Sequence, residues 1–262
     1  MPHMPLPLRP LLLLLALAAC AQPQATRAPT PQAPALDPEL LAMYAELPDG
    51  DLTIPAIPPK WLSERNKRTE VDYWTEEAPG TIIVDPFARY LYLVEDGNRA
   101  MRYGVAVGEE GRGFSGEATI PYTREWPSWT PTQNMIAEDP EQYGPVAAGL
   151  EGGLENPLGA RALYLFQNGQ DTLYRIHGTA NPWSIGQATS AGCIRLYNQD
   201  IVDLHDRVKP GARVVVLDQS QTGKGTAPPG TPLPPVDYPA GFVALTPETA
   251  TTAATAPAPQ FN

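Results

Sequence analysis

Cysteine, histidine and positive charge are all scarce in this chain. It has two cysteines and three histidines in 262 residues. A zinc site takes three or four ligands. His177 and Cys193 supply two, with no spaced partners, so neither a metal nor another cofactor is expected. Lys and Arg number 18 against 29 Asp and Glu, a formal net charge of −11. There is no basic stripe, and nucleic acid is not expected as a partner. No internal repeat is visible. The longest apolar run, residues 11–19, is too short to span a bilayer, which takes about 20 residues.

That run reads as part of an export signal. Arg9 precedes it and small residues follow, the pattern of a secretory signal peptide over residues 1–19. It ends Leu17-Ala18-Ala19-Cys20, which resembles the lipobox of bacterial lipoproteins. The resemblance implies that Cys20 carries diacylglycerol and becomes the first mature residue. It also implies that Gln22 sends the protein to the outer membrane of a Gram-negative bacterium, facing the periplasm. Ordinary cleavage after Ala19-Cys20-Ala21 is the alternative and gives a soluble periplasmic form. With Cys20 lipidated, Cys193 lacks an intramolecular partner, and an unpaired thiol in an oxidising compartment is a liability unless it is used.

Residues 20–79 are expected to be a Pro/Ala-rich tether and N-terminal extension, with a short helix within 37–47. One domain is expected over 80–218, and a disordered Thr/Ala/Pro-rich tail over 219–262. Inside the domain most signals are of strands. Arg89–Val94 and Arg102–Val107 flank Asp96-Gly97, and Ala162–Phe166 and Thr172–Ile176 flank Asn168-Gly169, two hairpins. The second delivers His177 at a strand end. A helix follows Cys193, with Asn198 as its cap, Asp200 in its first turn, and Ile201, Leu204 and Val208 on one face. Pro210-Gly211 ends it, and residues 213–217 close the domain as a strand. The class is mainly β with a small helical part.

The chemistry concentrates between Ile176 and Leu196. A thiol needs a base or an electropositive setting to become a thiolate near neutral pH, and imidazole is well matched to that task. Cys193 is therefore read as a nucleophile and His177 as its general base. A papain-like protease would place the cysteine early and the histidine far downstream, the reverse of this order. His205 sits in the helix and reads as a surface or half-buried histidine. Trp126, Pro127, Trp129 and Pro131 mark a packed loop or a lid before the cleft, to which Glu151-Gly152-Gly153 lends flexibility.

His177-Gly178-Thr179, Pro182-Trp183-Ser184-Ile185-Gly186 and Ser190-Ala191-Gly192-Cys193-Ile194-Arg195, with Asn156-Pro157-Leu158-Gly159 upstream, resemble the L,D-transpeptidase catalytic domain, the YkuD family. The resemblance covers roughly residues 80–218. It implies a β-sandwich acting on peptidoglycan stem peptides, with a short helix after the catalytic cysteine loop. Cys193 would attack a tetrapeptide stem, release D-alanine and form a thioester that an amine resolves, as a 3→3 cross-link or an attachment of protein to the wall. Backbone N–H groups of Gly192 and Cys193 would hold the oxyanion. Arg195 either binds a carboxylate or pins the loop, and Ser190 either orients the loop or hydrogen-bonds His177, or simply forms a turn. Asn181, Trp183 and Tyr197 either line the cleft or pack. Many members have histidine where Ala191 stands here. Two alternatives stay open: an L,D-carboxypeptidase or endopeptidase on the same substrates, and a non-catalytic peptidoglycan-binding lipoprotein.

Overall fold

The computed structural model describes residues 37–108, 114–190 and 192–233. The signal peptide, Cys20, Ala191 and residues beyond 233 lie outside the described residues. Among the described residues no helix is long and apolar enough to cross a membrane.

Runs of alternating or β-branched residues form strands, and short polar or glycine turns join them. The strands are β1 (Leu47–Asp49), β2 (Leu52–Ile54), β3 (Thr69–Asp72), β4 (Ile82–Asp85), β5 (Tyr90–Glu95), β6 (Arg99–Gly104) and β7 (Val107–Gly108). They continue as β8 (Gly116–Ile120), β9 (Thr123–Glu125), β10 (Arg161–Gln167), β11 (Gln170–His177), β12 (Ala188–Ser190), β13 (Ile194–Arg195) and β14 (Ala212–Val216). The helices are α1 (Pro38–Met43), α2 (Gln133–Glu138), α3 (Pro140–Tyr143) and α4 (Asn198–Arg207). One sheet runs β13-β11-β10-β8-β14-β4-β5-β6-β3, with β9 also on β10. The fold is mainly β, as the sequence led us to expect. Both hairpins form: β5 pairs β6 around Asp96-Gly97-Asn98, and β10 pairs β11 around Asn168-Gly169. Asn168 and Gly169 both take positive φ, 51° and 76°, which an Asn-Gly turn of this kind requires.

One core collects side chains from both ends of the sheet: Leu91 and Tyr103 at one end, Leu163, Ile176 and Ile194 at the other. The sheet therefore curls so that its two halves face the same apolar interior. Ile201 and Leu204 of α4 close that interior, and Val208 follows at its end. The opposite face of β4 and β5 buries a second cluster around Ile83, Tyr73 and Tyr92.

Two expectations change. Residues 37–79 are not a tether. The short helix within 37–47 forms as α1, and Leu40, Tyr44, Ile57 and Leu62 bury against Ile185 and Tyr197. Asp49 grips Arg161 through two hydrogen bonds of 2.6 and 2.7 Å. Tyr44 donates to Asp200 at 3.0 Å, and Arg68 pairs with the same carboxylate at 3.2 Å. Residues 219–233 are likewise described as turns. Gly223 N–H donates to Asp85, and Gly225 lies flat on the Tyr73 ring with no room for a Cβ. The prolines that make these segments look like linkers only shorten their regular structure; scattered apolar residues still supply enough burial to fix them.

The Asp49–Arg161 pair is nearly dry, with Arg161 5% exposed. Breaking one partner of such a pair strands the other. Asp49→Ala is expected to cost about 3 kcal/mol in urea unfolding with an unchanged m-value.

Candidate active site

The site is built where β11 and β13 run parallel. Ile176 pairs with Ile194 and His177 with Arg195. Paired residues share a sheet face, and faces alternate along each strand. Ile176 and Ile194 point into the core, so His177 and Arg195 lie on the other face. Cys193, one residue before β13, falls opposite Arg175 and on that same face. The register thus brings His177, Cys193, Arg175 and Arg195 together, with His177 and Cys193 on a diagonal. Arg195 is also fixed from its far side, where its N–H and C=O both pair with Ala106 at 2.9 Å.

His177 is buried, 3% exposed. Its Nδ1 lies 2.6 Å from the Gly178 carbonyl. A carbonyl only accepts, so Nδ1 carries the hydrogen and the neutral ring keeps its lone pair on Nε2. Burial, then the nearby Arg195 charge, pushes the His177 imidazole down to about 3, against the pull of the Gly178 and Leu158 carbonyls. Burial pushes the Cys193 thiol up, opposed by the Arg175 backbone N–H and the Arg175 and Arg195 charges. Both directions favour a resting pair of neutral thiol and neutral imidazole. Cys193 itself is half-buried.

Gly192 is buried with φ 127°, a conformation that excludes other residues and lets the chain turn into β13. Ser190 ends β12, opposite Gly108 of β7; its side chain lies outside the described residues. Trp183 and Asn181 are exposed, whereas Tyr197 is buried with its hydroxyl donating to the Trp61 carbonyl at 2.6 Å. His205 sits 3.0 Å from Thr123 Oγ1, on α4.

The expected cap at Asn198 is corrected. Tyr197 occupies that position with no side-chain cap. Asn198 is buried, and its Oδ1 instead accepts from Ala160 N–H at 3.0 Å and Thr179 N–H at 3.1 Å. Its Nδ2 donates to the Thr179 carbonyl at 3.0 Å. A Cβ on Gly159 or Gly178 would collide with that Oδ1. Asn198 therefore ties the residue after Gly178, whose carbonyl holds His177, to the helix after Cys193. Asn156 does similar work upstream. It donates to the Leu150 and Glu151 carbonyls and accepts from Leu158 N–H, fixing the Leu158 carbonyl near the imidazole.

The segment around Trp126 and Trp129 is packed. Trp129 and Leu150 exchange backbone hydrogen bonds of 2.9 and 2.7 Å. Gly152 lies against the Trp126 carbonyl with no room for a Cβ, so it serves close approach rather than the flexibility expected of it. Sequence reasoning missed two further features. Arg175 stands two residues before His177, on the same face by strand alternation. Asp200 looked like a first-turn acid, yet it is fully buried, and burial pushes it up to about 7.

Residues 79–216 match the family model described as YkuD, the L,D-transpeptidase catalytic domain. The chain is 36% identical over 133 residues to the probable L,D-transpeptidase ErfK/SrfK of Escherichia coli, covering 50% of this chain and 41% of that one. It is 34% identical over 142 residues to the probable L,D-transpeptidase YbiS of the same organism, covering 53% and 45%. The chain thus spans less than half the length of these relatives. A solved structure from Brucella melitensis, named a probable carnitine operon oxidoreductase, is 51% identical. That likeness covers 61% of this chain and 99% of the other, with a TM-score of 0.42.

Two outcomes are expected from this geometry. Asn198→Ala leaves buried Ala160 and Thr179 N–H groups unpaired and should cost about 2–4 kcal/mol in denaturant unfolding. The second concerns acid. Between pH 6.5 and about 3 the unfolded histidine binds a proton that the native one does not, so stability falls as pH falls. Asp200 acts in the opposite sense, losing native stability as pH rises toward 7. The difference between wild type and His177→Gln isolates the histidine. Unfolding at stepped pH should show wild type losing ground to the variant below pH 6.5, by up to about 1.4 kcal/mol per pH unit.

Proposed function

The chain belongs to the YkuD family of L,D-transpeptidase catalytic domains, and we propose that it is a cysteine-dependent acyltransferase acting on peptidoglycan stem peptides. The single observation that supports this most is the shared sheet face of His177 and Cys193, with the imidazole in the tautomer that can accept a proton.

His177 Nε2 takes the Cys193 proton as Sγ attacks the carbonyl between an L-centre and the terminal D-residue of the stem. Charge collects on the carbonyl oxygen, where the Gly192 and Cys193 N–H groups receive it. The C–N bond breaks, His177 returns the proton to the amine, and D-alanine leaves. A thioester remains on Cys193, which divides one hard amide exchange into two easier steps. An acceptor amine then attacks the thioester carbonyl and regenerates the thiol, giving a 3→3 cross-link or a protein joined to the wall. Arg195 holds a substrate carboxylate, the geometry a guanidinium fork suits. Ser190 orients the loop before the nucleophile. Residues 80–218 carry this activity. The preceding signal peptide exports the chain to the periplasm, and lipid on Cys20 anchors it to the outer membrane. The oxidoreductase name stays with the Brucella melitensis protein, since the thiol–imidazole pair here supports acyl transfer.

Purified protein is expected to be labelled covalently by carbapenems and to form 3→3 dimers from tetrapeptide muropeptides. Cys193→Ala should abolish both, and His177→Ala should slow labelling by about 10²–10⁴-fold while leaving a thiol that alkylating reagents reach. Release of D-alanine without dimers, under saturating acceptor, would move the assignment to a carboxypeptidase. Binding of muropeptides with neither labelling nor turnover would move it to a wall-binding protein.

A further inference from the structure

Among the described residues, few groups near the Cys193 thiol can carry charge. Arg175 and Tyr174 act on it from β11 and Arg195 from β13, with the Asp171 carboxylate bonded to Arg175 and Tyr143 of α3 near Arg195 in turn, while His177 shares its sheet face. Position 191, two residues before the thiol, is an alanine and offers no charge. Arg195 is the residue assigned above to substrate. Arg175 has no assigned role, although it is the more tightly built of the two.

The β11–β13 register sets Arg175 beside Cys193 on the reacting face. Its side chain is 13% exposed, low for an arginine. Asp171 clamps it in two parallel bonds of 2.7 and 2.8 Å, the Tyr174 carbonyl accepts a third at 2.9 Å, and the Tyr164 ring lies 4.2 Å beneath it. Tyr164 pairs with Arg175 across β10 and β11, so it shares the same face. A guanidinium held by a carboxylate, a carbonyl and a ring has little freedom left to lose or to swing away.

We propose that Arg175 is a positioning residue for the reaction: a fixed cation that favours the thiolate on Cys193 while His177 holds the proton. It deepens the reading of Cys193 as nucleophile and rests on that reading for its catalytic meaning. The charge distribution favours this division of labour. Arg175 falls opposite Cys193 in the strand register, whereas Arg195 pairs with His177. Arg175 therefore stabilises the anion without an equal penalty on the cation. Its backbone N–H also bonds the sulfur, so one residue supplies both a donor and a charge.

The test is the pH dependence of iodoacetamide alkylation of the full chain, read by mass spectrometry on the Cys193 peptide so that Cys20 does not contribute. Arg175→Gln removes the charge. Arg175→Met removes it while keeping the apolar stem over Tyr164, and serves if the first variant does not fold. Arg175→Lys restores the charge. The expected result is an apparent thiol pKa about one unit higher in Gln or Met, roughly a tenfold loss of thiolate at neutral pH, with Lys returning at least half of the shift. An unchanged pKa in the neutral variants overturns the proposal. So does a Lys variant that returns less than half, because packing alone then explains the effect. No substrate enters this measurement. A thiol that titrates as expected in a protein that turns over no stem peptide would overturn the transpeptidase reading and leave Arg175 in its electrostatic role.

Discussion

The parallel pairing of β11 with β13 is the constraint on which the site depends. Both strands place an isoleucine, Ile176 and Ile194, into the shared core, and both are almost wholly buried. Because side chains alternate with period two, that apolar pair decides the direction of everything beside it. A slip of one residue would turn His177 into the core and lift Ile176 to the reacting face. The hydrophobic effect therefore sets the geometry of the candidate site indirectly, by making any other register expensive. Parallel strands need a crossover between them, and the loop between Gly178 and Gly192 is that crossover. Its middle is held by Asn66, which donates to the Ile185 carbonyl at 3.2 Å, and its end by the glycine-only turn at Gly192.

Burial gives the site its precision and also its electrostatic problem. The imidazole is held by carbonyls in one tautomer, which fixes where its lone pair points. The same burial makes imidazolium costly and thiolate costly. Moving a proton from Cys193 to His177 is thus uphill, because burial disfavours both charged products. Cations near the sulfur reduce that cost, but a cation equally close to both groups gains nothing overall. Two arginines at different register positions, Arg195 opposite His177 and Arg175 opposite Cys193, can separate the tasks. Arg195 pairs with His177 across the two strands, and its charge disfavours the imidazolium. Arg175 is engaged by both oxygens of Asp171.

Much of this was legible in the sequence because the signals were local. Asn-Gly and Asp-Gly turns marked both hairpins, and the apolar spacing of α4 marked its buried side. His177, Gly192 and Cys193 stood out by residue type and order. Features that depend on distant partners were not legible. Asn198 occupies a position where a helix cap and a cross-link to another loop look alike, since the side chain bonds backbone N–H groups in both cases. Asp200 matched the favourable acid of a first turn, and only Tyr44 and Arg68, far away in sequence, show it to be buried and bridged. Residues 37–79 resembled a linker because prolines recur along them and their regular elements are short. The few apolar side chains that anchor them are too irregularly spaced to give a period.

That N-terminal segment lies almost wholly before the region matched by the family model, yet it reaches the site through α4. Asp200 is the third residue of α4, and Asn198 is the first. Tyr44 and Arg68 hold Asp200, while Gln199 between them donates to the Ala45 and Pro55 carbonyls at 3.1 and 3.0 Å. Three consecutive residues at the start of one helix are thus bonded outward, two to the extension and one to the loop that carries His177. Loosening the extension would free the helix start, and through Asn198 it would free the Thr179 backbone that fixes Gly178. The imidazole's orientation is in this sense a property of residues 37–207 together, because no single segment among them satisfies the buried polar groups on its own.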